Sequence, residues 1–371
     1  MSLAPLVLRP NQPRQFYRGG ERIARFRGLP RPGSAYLPED LVGSTTQLFG
    51  RDGAGLTVLD DGTTLLDAIA ADPAGYLGPE HVAAYGADLA LLVKLLDTGE
   101  RLLVHFHPPR SFARAHLHSC HGKTEAWIIT EVTRDSDDDS SGYVYVGFRE
   151  DTSPAVVRGW VAAQDAAALL GALNKVPVGP GDTCLVPAGV PHAIGAGVTL
   201  VEVQEPTDFS ILLEWAGYDI DGPAQGHLGL GFDVALEALD CSGWDDRRLG
   251  GLLGSRRGAE GPAGTARLLP RAADEFFRVE RIETAAAAAR FECWTGTTPP
   301  AEPGTGLRRR RIEDRDPCGL GLLGTCRDHH GAGGRHRSTD RSPSRRAGPA
   351  PYGTSSVVPR ATGTAPSAQV S

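Results

Sequence analysis

The sequence predicts a mainly β protein, a barrel or sandwich of short strands into which a few helices are inserted. Three observations lead to this expectation. Runs such as "GYVYVGF" are apolar in the alternating manner of a half-buried strand. Gly and Pro punctuate the first sixty residues and leave room only for short extended pieces between turns. Patterns with helical spacing are confined to a few segments.

The first sixty residues are expected to form strands and turns, with "LVLRP" and "RIARFRG" as extended pieces. The pattern then becomes helical. Thr64 is a suitable N-cap for the apolar residues that follow it, and Pro73 and Pro79 divide the segment into short helices. The sequence therefore predicts a helical insert over about residues 64–90.

The segments after this insert return to strands. "LALLVKLLDTGERLLVHFH" predicts two buried strands that are interrupted at 97–99, and "DTCLVPAGVPHAIGAGVTLVEVQEP" is again extended. Between them, "QDAAALLGALNKV" predicts a helix with Leu169 and Leu173 on one side.

Composition excludes several classes of protein. The net charge of −7 leaves the whole chain of 371 residues without the basic character of a nucleic-acid-binding protein. No window approaches the length of apolar sequence that a membrane span needs, and the N-terminus lacks the pattern of a signal peptide. We therefore expect a cytoplasmic protein, a monomer or weak homo-oligomer, that binds neither membranes nor nucleic acid.

The length and the change in composition along the chain predict three parts. Residues 1–245 are expected to form a metal-binding β domain that contains the helical insert, and residues 246–292 the start of a second, incomplete barrel. Residues 293–371 are rich in Gly, Arg, Pro and Ser and lack apolar periodicity. This last part is predicted to be a disordered tail, because it cannot bury enough apolar surface to offset the entropy of ordering.

Two histidines one residue apart provide the first chemical signal. In "GERLLVHFHPP", alternation along a strand places His105 and His107 on the same face, opposite Val104 and Phe106. A second segment, "GDTCLVPAGVPHAIG", contains His192 after a Pro-x-Gly turn. The forms Gly-x5-His-x-His and Gly-x5-Pro-x-Gly-x2-His, in this order, resemble the two sequence motifs of the cupin superfamily, which implies a jelly-roll β-barrel.

The pieces "LLVKLLD", "VHFHP", "GKTEAW" and "GDTCLVPAGVPHAIGAGVTLVEVQEPTD" make the resemblance more specific. Over roughly residues 65–208 the chain resembles the type I phosphomannose isomerases, which are zinc-dependent cupins. The resemblance implies an aldose–ketose isomerase that interconverts mannose 6-phosphate and fructose 6-phosphate. It also implies a second C-terminal barrel, which is degraded or truncated in this chain because barrel-like sequence ends near residue 292.

The resemblance implies a metal site formed by His105, His107, Glu125 and His192. Three neutral imidazoles and one carboxylate suit Zn²⁺, and they also suit Fe²⁺, Mn²⁺, Co²⁺ or Ni²⁺. The family favours zinc.

Other residues of the resembling segments are candidates for contact with a substrate. Lys123 lies two positions before Glu125, so it is expected to face the same cavity, and in the family this lysine contacts substrate in the active site. Arg110 stands where the isomerases commonly carry a basic residue near the phosphate. Glu205 and Asp208 are candidate proton carriers.

Two features leave alternatives open. Leu212 or its neighbour stands where the isomerases have an arginine that is considered important for catalysis. A non-catalytic sugar- or sugar-phosphate-binding cupin, or a different metal-dependent cupin enzyme such as an iron dioxygenase, therefore remains an alternative. In addition, His116, His118 and His121 invite the hypothesis of a second metal site.

Overall fold

The computed structural model describes residues 6–135, 137–254, 259–260 and 265–282. The strands in these residues are β1 Glu39–Val42, β2 Leu92–Asp97, β3 His105–Phe106, β4 Glu125–Val132, β5 Tyr143–Phe148, β6 Leu173–Pro177, β7 Thr183–Val186, β8 His192–Ile194, β9 Val198–Gln204, β10 Ile211–Leu212, β11 Leu253–Gly254, β12 Ala259–Glu260, β13 Thr265–Arg267 and β14 Glu280–Ile282.

The helices are mostly short. They are α1 Glu21–Phe26, α2 Leu65–Ala71, α3 Pro73–Leu77, α4 Pro79–Tyr85, α5 Arg110–His116, α6 Pro154–Ala163, α7 Ala166–Ala172, α8 Gly222–Gln225, α9 Phe232–Ala235 and α10 Asp246–Gly250, with 3₁₀ turns at Leu236–Ala238 and Arg271–Glu275. None of the helices in the described part of the chain has both the length and the apolar character that crossing a bilayer requires.

Antiparallel strands form two larger sheets, ordered β1-β2-β9-β4-β7-β11 and β10-β3-β8-β5-β6. Trp127 of β4 and Leu200 of β9 share one apolar cluster with Val144 of β5 and Ile194 of β8. The two sheets therefore face each other across a common core. The predicted mainly β fold with helical insertions is confirmed, as two facing sheets rather than a closed barrel.

The strand that carries the two histidines has one apolar face and one polar face. Val104 and Phe106 pack with residues of α6 and α7 on the outside of the five-stranded sheet. His105 and His107 project together on the opposite face, with ring centroids 5.0 Å apart, as the alternation predicts. Antiparallel pairing of β3 with β8 then places His192 directly across from His105.

The predicted helical insert is confirmed in α2, α3 and α4. The Thr64 hydroxyl accepts a hydrogen bond from the Asp67 amide at 3.0 Å and caps α2. Pro73 and Pro79 begin the next two helices, where their missing N–H groups cost no hydrogen bond.

The expectation that "RIARFRG" is extended is wrong, because residues 21–26 form α1. The reason is a tertiary contact. The buried Asp97 carboxylate at the end of β2 accepts hydrogen bonds at 2.8 Å from the amides of Gly20 and Arg22, which satisfies the N-terminus of this short helix. The partner lies 75 or more positions away in the sequence and is invisible to local pattern.

The predicted helix of "QDAAALLGALNKV" ends earlier than expected. Leu169 is in α7 and buried, but Leu173 begins β6. Pairing of Leu173 with Phe148 of β5 takes this residue into the five-stranded sheet.

Beyond residue 245 the chain adds to the first part before it forms a small separate sheet. β11 pairs with β7 at the edge of the six-stranded sheet, whereas β12, β13 and β14 form a three-stranded sheet. The division of the chain near residue 245 and the incomplete second barrel stay predictions. The predicted tail at 293–371 lies outside the described residues.

A buried ion pair fixes the start of the histidine strand. Glu214, which is 2% exposed, accepts hydrogen bonds from the Val104 amide at 2.9 Å and from two guanidinium nitrogens of Arg101 at 2.8 and 2.5 Å. Replacing the glutamate would leave both partners without their acceptor.

We expect Glu214→Ala to lower the free energy of unfolding by about 3 kcal/mol, because removal of one partner leaves the charge of the other uncompensated. Urea denaturation measures this change. The exposed Glu237, for which the described chain shows no ion pair, is the matched control, and Glu237→Ala should leave the midpoint near that of the wild type. Equal midpoints for the two variants would contradict the assignment.

Candidate metal centre and active site

Three buried imidazoles meet between the two sheets in one orientation. The Nδ1 atoms of His105, His107 and His192 lie 2.9, 2.7 and 2.8 Å from the backbone carbonyl oxygens of Leu103, Phe209 and Val190, respectively. A carbonyl can only accept, so each Nδ1 carries the proton and donates it. Each Nε2 therefore presents a lone pair to the space between the rings, which is the arrangement of metal-binding histidines.

The lone pairs of two of these rings face each other without a proton between them. Nε2 of His192 lies 3.1 Å from Nε2 of His105, although both rings hold their proton on Nδ1. The ligating atoms of His105, His107 and His192 all lie within 4.8 Å of one another. A cation at their centre would convert this mutual repulsion of lone pairs into coordination.

Glu125 completes the group from the facing sheet. It begins β4, is 1% exposed, and its Oε1 accepts a hydrogen bond from the Trp127 indole at 2.9 Å and lies 3.4 Å from Nε2 of His192. Its Oε2 is buried and lies 3.0 Å from Nε2 of His107, but no donor in the described chain reaches it in hydrogen-bonding geometry. The Lys123 ammonium lies 3.1 Å from this oxygen, and a buried carboxylate oxygen that accepts no hydrogen bond beside three imidazole lone pairs also fits a bound metal cation.

The protonation states of these four groups are those that a metal requires. Burial, together with the neighbouring charges, lowers the pKa of His105 well below its ordinary value, and burial and the Lys123 ammonium lower the pKa of His107 to about 3. Burial also lowers the pKa of His192. Burial acts to raise the pKa of Glu125, but the charges of Lys123 and the histidines outweigh it and hold this pKa well below its usual range. At neutral pH the group therefore consists of three neutral imidazoles and one carboxylate.

The donor set fits a divalent transition metal. Three nitrogen ligands and one carboxylate leave a dication with a net charge of about +1 and room for an oxygen ligand. The structure thus brings together all four residues that the sequence predicts as ligands. Their role as ligands stays a prediction.

Lys123 reaches the same group from the loop before β4. Its Nζ lies 2.9 Å from Nε2 of His107 and 3.1 Å from Oε2 of Glu125, and the side chain is almost completely buried. A cation bound by His107 would take over the lone pair that Lys123 now contacts, and would leave this ammonium directed at whatever occupies the adjacent cavity.

A cavity of about 580 Å³ opens beside the histidines. Its wall contains His105 and Lys123, together with Leu212, the residue that stands where the resembling family has an arginine. Leu212 pairs with His105 in the β10–β3 ladder and is 4% exposed. The aliphatic side chain therefore adds no charge to this wall.

A second polar cluster lies in the cavity wall, and of its residues only Asp208 is among the candidates predicted from the sequence. Nζ of Lys94 lies 3.3 Å from Glu39, 3.6 Å from Glu202 and 4.0 Å from Asp208. Glu39 also accepts a hydrogen bond from the Tyr17 hydroxyl at 3.0 Å. The sequence did contain an indication of this cluster. Lys94 lies in the apolar run "LLVKLLD", and a lysine in a buried strand needs acidic partners in the interior.

Glu202 is the most strongly perturbed carboxyl of this cluster. Burial and the negative charge of Glu125 raise its pKa to about 7, although Lys94 opposes the shift. Its Oε1 is buried and has no hydrogen-bond donor among the described residues. Burial also raises the pKa of Asp208. A carboxyl group with a pKa near neutrality in a cavity has the properties of a general acid or base.

Arg110 and Glu205 lie next to each other rather than in the cavity wall. Nε of Arg110 donates to Oε1 of Glu205 at 2.5 Å, and the guanidinium also contacts Glu275 at 3.2 Å and stacks over Phe276. Oε2 of Glu205 accepts from the Thr124 amide at 2.8 Å. Both groups are thus engaged within the protein, and their roles in phosphate binding and proton transfer stay predictions.

The structure does not bring His116, His118 and His121 together as a metal-binding group. His116 packs against Phe112, and His121 contacts the Asp88 carboxylate at 2.5 Å. Within the described ranges, the group of at least three residues with metal-ligand spacing is the one that contains His105.

We expect His107→Ala to abolish stoichiometric metal binding, because the variant removes one of the three nitrogen donors. Mass spectrometry of the metal content of the purified full-length chain measures this change. His116→Ala serves as the matched control and should retain the metal. Full metal occupancy in His107→Ala, or loss from His116→Ala alone, would contradict the site.

Comparison with known proteins relates the chain to one group of enzymes. The chain is 33% identical over 153 residues to the mannose-6-phosphate isomerase of Streptococcus mutans, which is 40% of this chain and 44% of that protein. It is 32% identical over 148 residues to the mannose-6-phosphate isomerase ManA of Bacillus subtilis, which is 38% of this chain and 41% of that protein. The matches thus span less than half the length of these relatives, and no family model matches the chain.

A solved structure extends the likeness to most of the fold. The crystal structure of the mannose 6-phosphate isomerase from Bacillus subtilis matches with a TM-score of 0.55 at 22% identity, over 75% of this chain and 79% of that chain. Such a match shows a shared fold. The curated relatives and this solved structure agree with the resemblance that the motifs indicate: over part of its length the chain is similar to mannose-6-phosphate isomerases.

Proposed function

We propose that this protein is a metal-dependent aldose–ketose isomerase that interconverts mannose 6-phosphate and fructose 6-phosphate. The names of its relatives support the reaction. The observation that carries the proposal is the position of Glu202: a buried carboxyl group whose pKa is raised to about 7 lines the same cavity as the histidine cluster and two lysines.

The reaction needs a base that moves one proton. Isomerisation transfers a proton between C1 and C2 of the open-chain sugar through an enediol, so one group must take the proton and return it to the neighbouring carbon. Glu202 is suited to this role because its raised pKa makes both protonation states accessible near neutral pH. Its Oε1 accepts no hydrogen bond from the described residues, and the Lys94 ammonium lies 3.6 Å from it.

His105, His107, Glu125 and His192 would hold the metal, and we propose zinc. A bound Zn²⁺ supplies Lewis-acid polarisation and orientation of the substrate oxygens at C1 and C2. The hydrogen bonds of the three Nδ1 atoms to backbone carbonyls fix the imidazole rings, so the ligand set is organised before substrate arrives.

The two lysines stabilise the negative charge that develops on the substrate. Lys123 is the cation closest to the histidine cluster, and its ammonium can donate hydrogen bonds to a substrate oxygen beside the metal. Burial acts to lower the pKa of Lys94, but its three carboxylate neighbours outweigh this and raise it, so Lys94 remains charged. Leu212 contributes no charge to the cavity wall, so this task falls to the two lysines that line it.

We also propose the setting in which the enzyme works. The substrate is a small phosphorylated sugar, and the protein acts in the cytoplasm as a monomer or weak homo-oligomer, without membrane or nucleic-acid partners. The net charge of −7 supports the last point, because it opposes association with a polyanion.

A coupled assay that follows formation of fructose 6-phosphate from mannose 6-phosphate tests the proposed function. We expect turnover by the metal-loaded wild type, and we expect Glu202→Gln to lower kcat by roughly 100- to 10,000-fold, because the amide cannot accept the proton. Glu150→Gln, on an exposed side chain away from the cavity, is the control. A wild type that binds the sugar phosphate without turnover would establish a non-catalytic binding protein instead.

The pH dependence separates a base from a residue that only positions others. Because the pKa of Glu202 is raised to about 7, its basic form prevails above this pH and its protonated form below. In the wild type, log(kcat/KM) should therefore fall by about one unit per pH unit below the pKa. The residual activity of Glu202→Gln should not show this fall at low pH. If log(kcat/KM) of the variant still fell below this pH, the titrating base would be another group.

A further inference from the structure

Among the described residues of the cavity wall, one cationic side chain has no carboxylate partner. Of the cationic side chains in this wall, Lys94 and Lys123 contact carboxylates of the interior, and Arg14 pairs with Asp219 at 2.7 Å. Arg51 also lines the cavity, but no carboxylate of the described chain lies within 4.0 Å of its guanidinium. Within the described residues, the Arg51 guanidinium makes one hydrogen bond: its Nη1 donates to the Arg14 carbonyl oxygen at 2.9 Å.

The turn that carries Arg51 has a fixed backbone. The amide of Arg51 donates to the Leu48 carbonyl at 3.1 Å, and its own carbonyl accepts from Ala54 at the same distance. Leu48 is buried with residues of β1 and β2, and Gly50 and Gly53 adopt positive φ angles of 69° and 73°. The turn therefore holds its exposed arginine at a set position relative to the six-stranded sheet.

The same turn contacts the residues next to the metal site. The Phe49 amide donates to Oδ2 of Asp208 at 3.2 Å, and the Phe49 ring meets the Phe209 ring edge-on at a centroid distance of 5.9 Å. The Phe209 carbonyl oxygen in turn accepts the hydrogen bond from Nδ1 of His107. A short path of direct contacts thus joins the Arg51 turn to the reacting end of the cavity.

Charge divides the cavity into two regions. Its interior contains the buried carboxyl groups of Glu39 and Glu202 and the half-buried carboxyl group of Asp208, which would repel a phosphate group. Arg51 is exposed, so it lies at the open side. In a hexose 6-phosphate the phosphate is at the opposite end of the carbon chain from C1 and C2. A sugar with its reacting carbons beside the histidines therefore presents its phosphate toward the open side.

We propose that Arg51 binds the phosphate group of the substrate at the mouth of the cavity, an inference that rests on the proposed function. A free guanidinium offers several N–H donors in the planar arrangement that pairs with phosphate oxygens. Arg110, the arginine that the sequence analysis places near the phosphate, already contacts two carboxylates and is absent from the cavity wall that the described residues form. Arg51 is the cation with unused capacity.

Calorimetric titration of mannose 6-phosphate into the metal-loaded full-length chain tests this assignment without the need for turnover. We expect Arg51→Gln to raise the Kd roughly 10- to 100-fold, because a charge-assisted contact with the phosphate is lost. Arg51→Lys should recover part of the affinity. Arg149→Gln is the matched control: Arg149 is likewise exposed, donates to a backbone carbonyl and stands outside the cavity wall, so its Kd should equal that of the wild type.

Two further measurements separate phosphate binding from other roles. Unphosphorylated mannose should bind Arg51→Gln and wild type alike, and the coupled assay should show a raised KM with kcat changed by less than about threefold, because the lost contact is far from the reacting carbons. Equal Kd values for mannose 6-phosphate in Arg51→Gln and Arg149→Gln, or an equal loss of affinity for mannose, would overturn the assignment.

If the proposed function is wrong, the wild type itself shows this in the binding and turnover measurements. A wild type that binds mannose 6-phosphate but does not convert it contradicts the isomerase and leaves the ratio of Kd values to decide the role of Arg51. A wild type that neither binds nor converts the sugar phosphate overturns both proposals.

Discussion

The structure depends on a buried group of three imidazoles and one carboxylate that share a small space between the two sheets. Three imidazole Nε2 lone pairs and one carboxylate oxygen face one another between the two sheets, and two of the lone pairs approach to 3.1 Å. The Lys123 ammonium contacts Nε2 of His107 and Oε2 of Glu125, but the close approach of His105 and His192 costs free energy unless a further cation joins them. The local contacts around the site follow from the need to hold these groups in place.

The two sheets supply the candidate ligands from opposite sides. His105 and His192 come from paired strands of the five-stranded sheet, whereas Glu125 comes from the six-stranded sheet. Glu214 and Arg101 fix the start of the histidine strand, and the Phe209 carbonyl orients His107. The acidic residues around Lys94 then place a carboxyl group with a raised pKa in the wall of the adjoining cavity. The proposed metal binding, sugar binding and proton transfer would therefore take place in one space.

The sequence could predict which four side chains lie together, although their role as ligands stays a prediction. Alternation along a strand places His105 beside His107, the second motif adds His192, and the family resemblance adds Glu125. The sequence could not predict features that depend on contacts between residues far apart in the chain. The capping of α1 by Asp97 is a tertiary contact, and the pairing of Arg110 with Glu205 joins residues 95 positions apart. The charged state of the buried Lys94 and the raised pKa of Glu202 likewise depend on burial and on neighbouring charges, which local sequence does not show.

X-ray absorption spectroscopy of the metal-loaded full-length chain tests the convergence of the four side chains most directly. The account predicts one tightly bound metal ion per chain with three imidazole nitrogens and a carboxylate oxygen at about 2.0–2.2 Å. A spectrum with fewer than three imidazole ligands, or a chain that takes up no metal after dialysis against zinc, would contradict it.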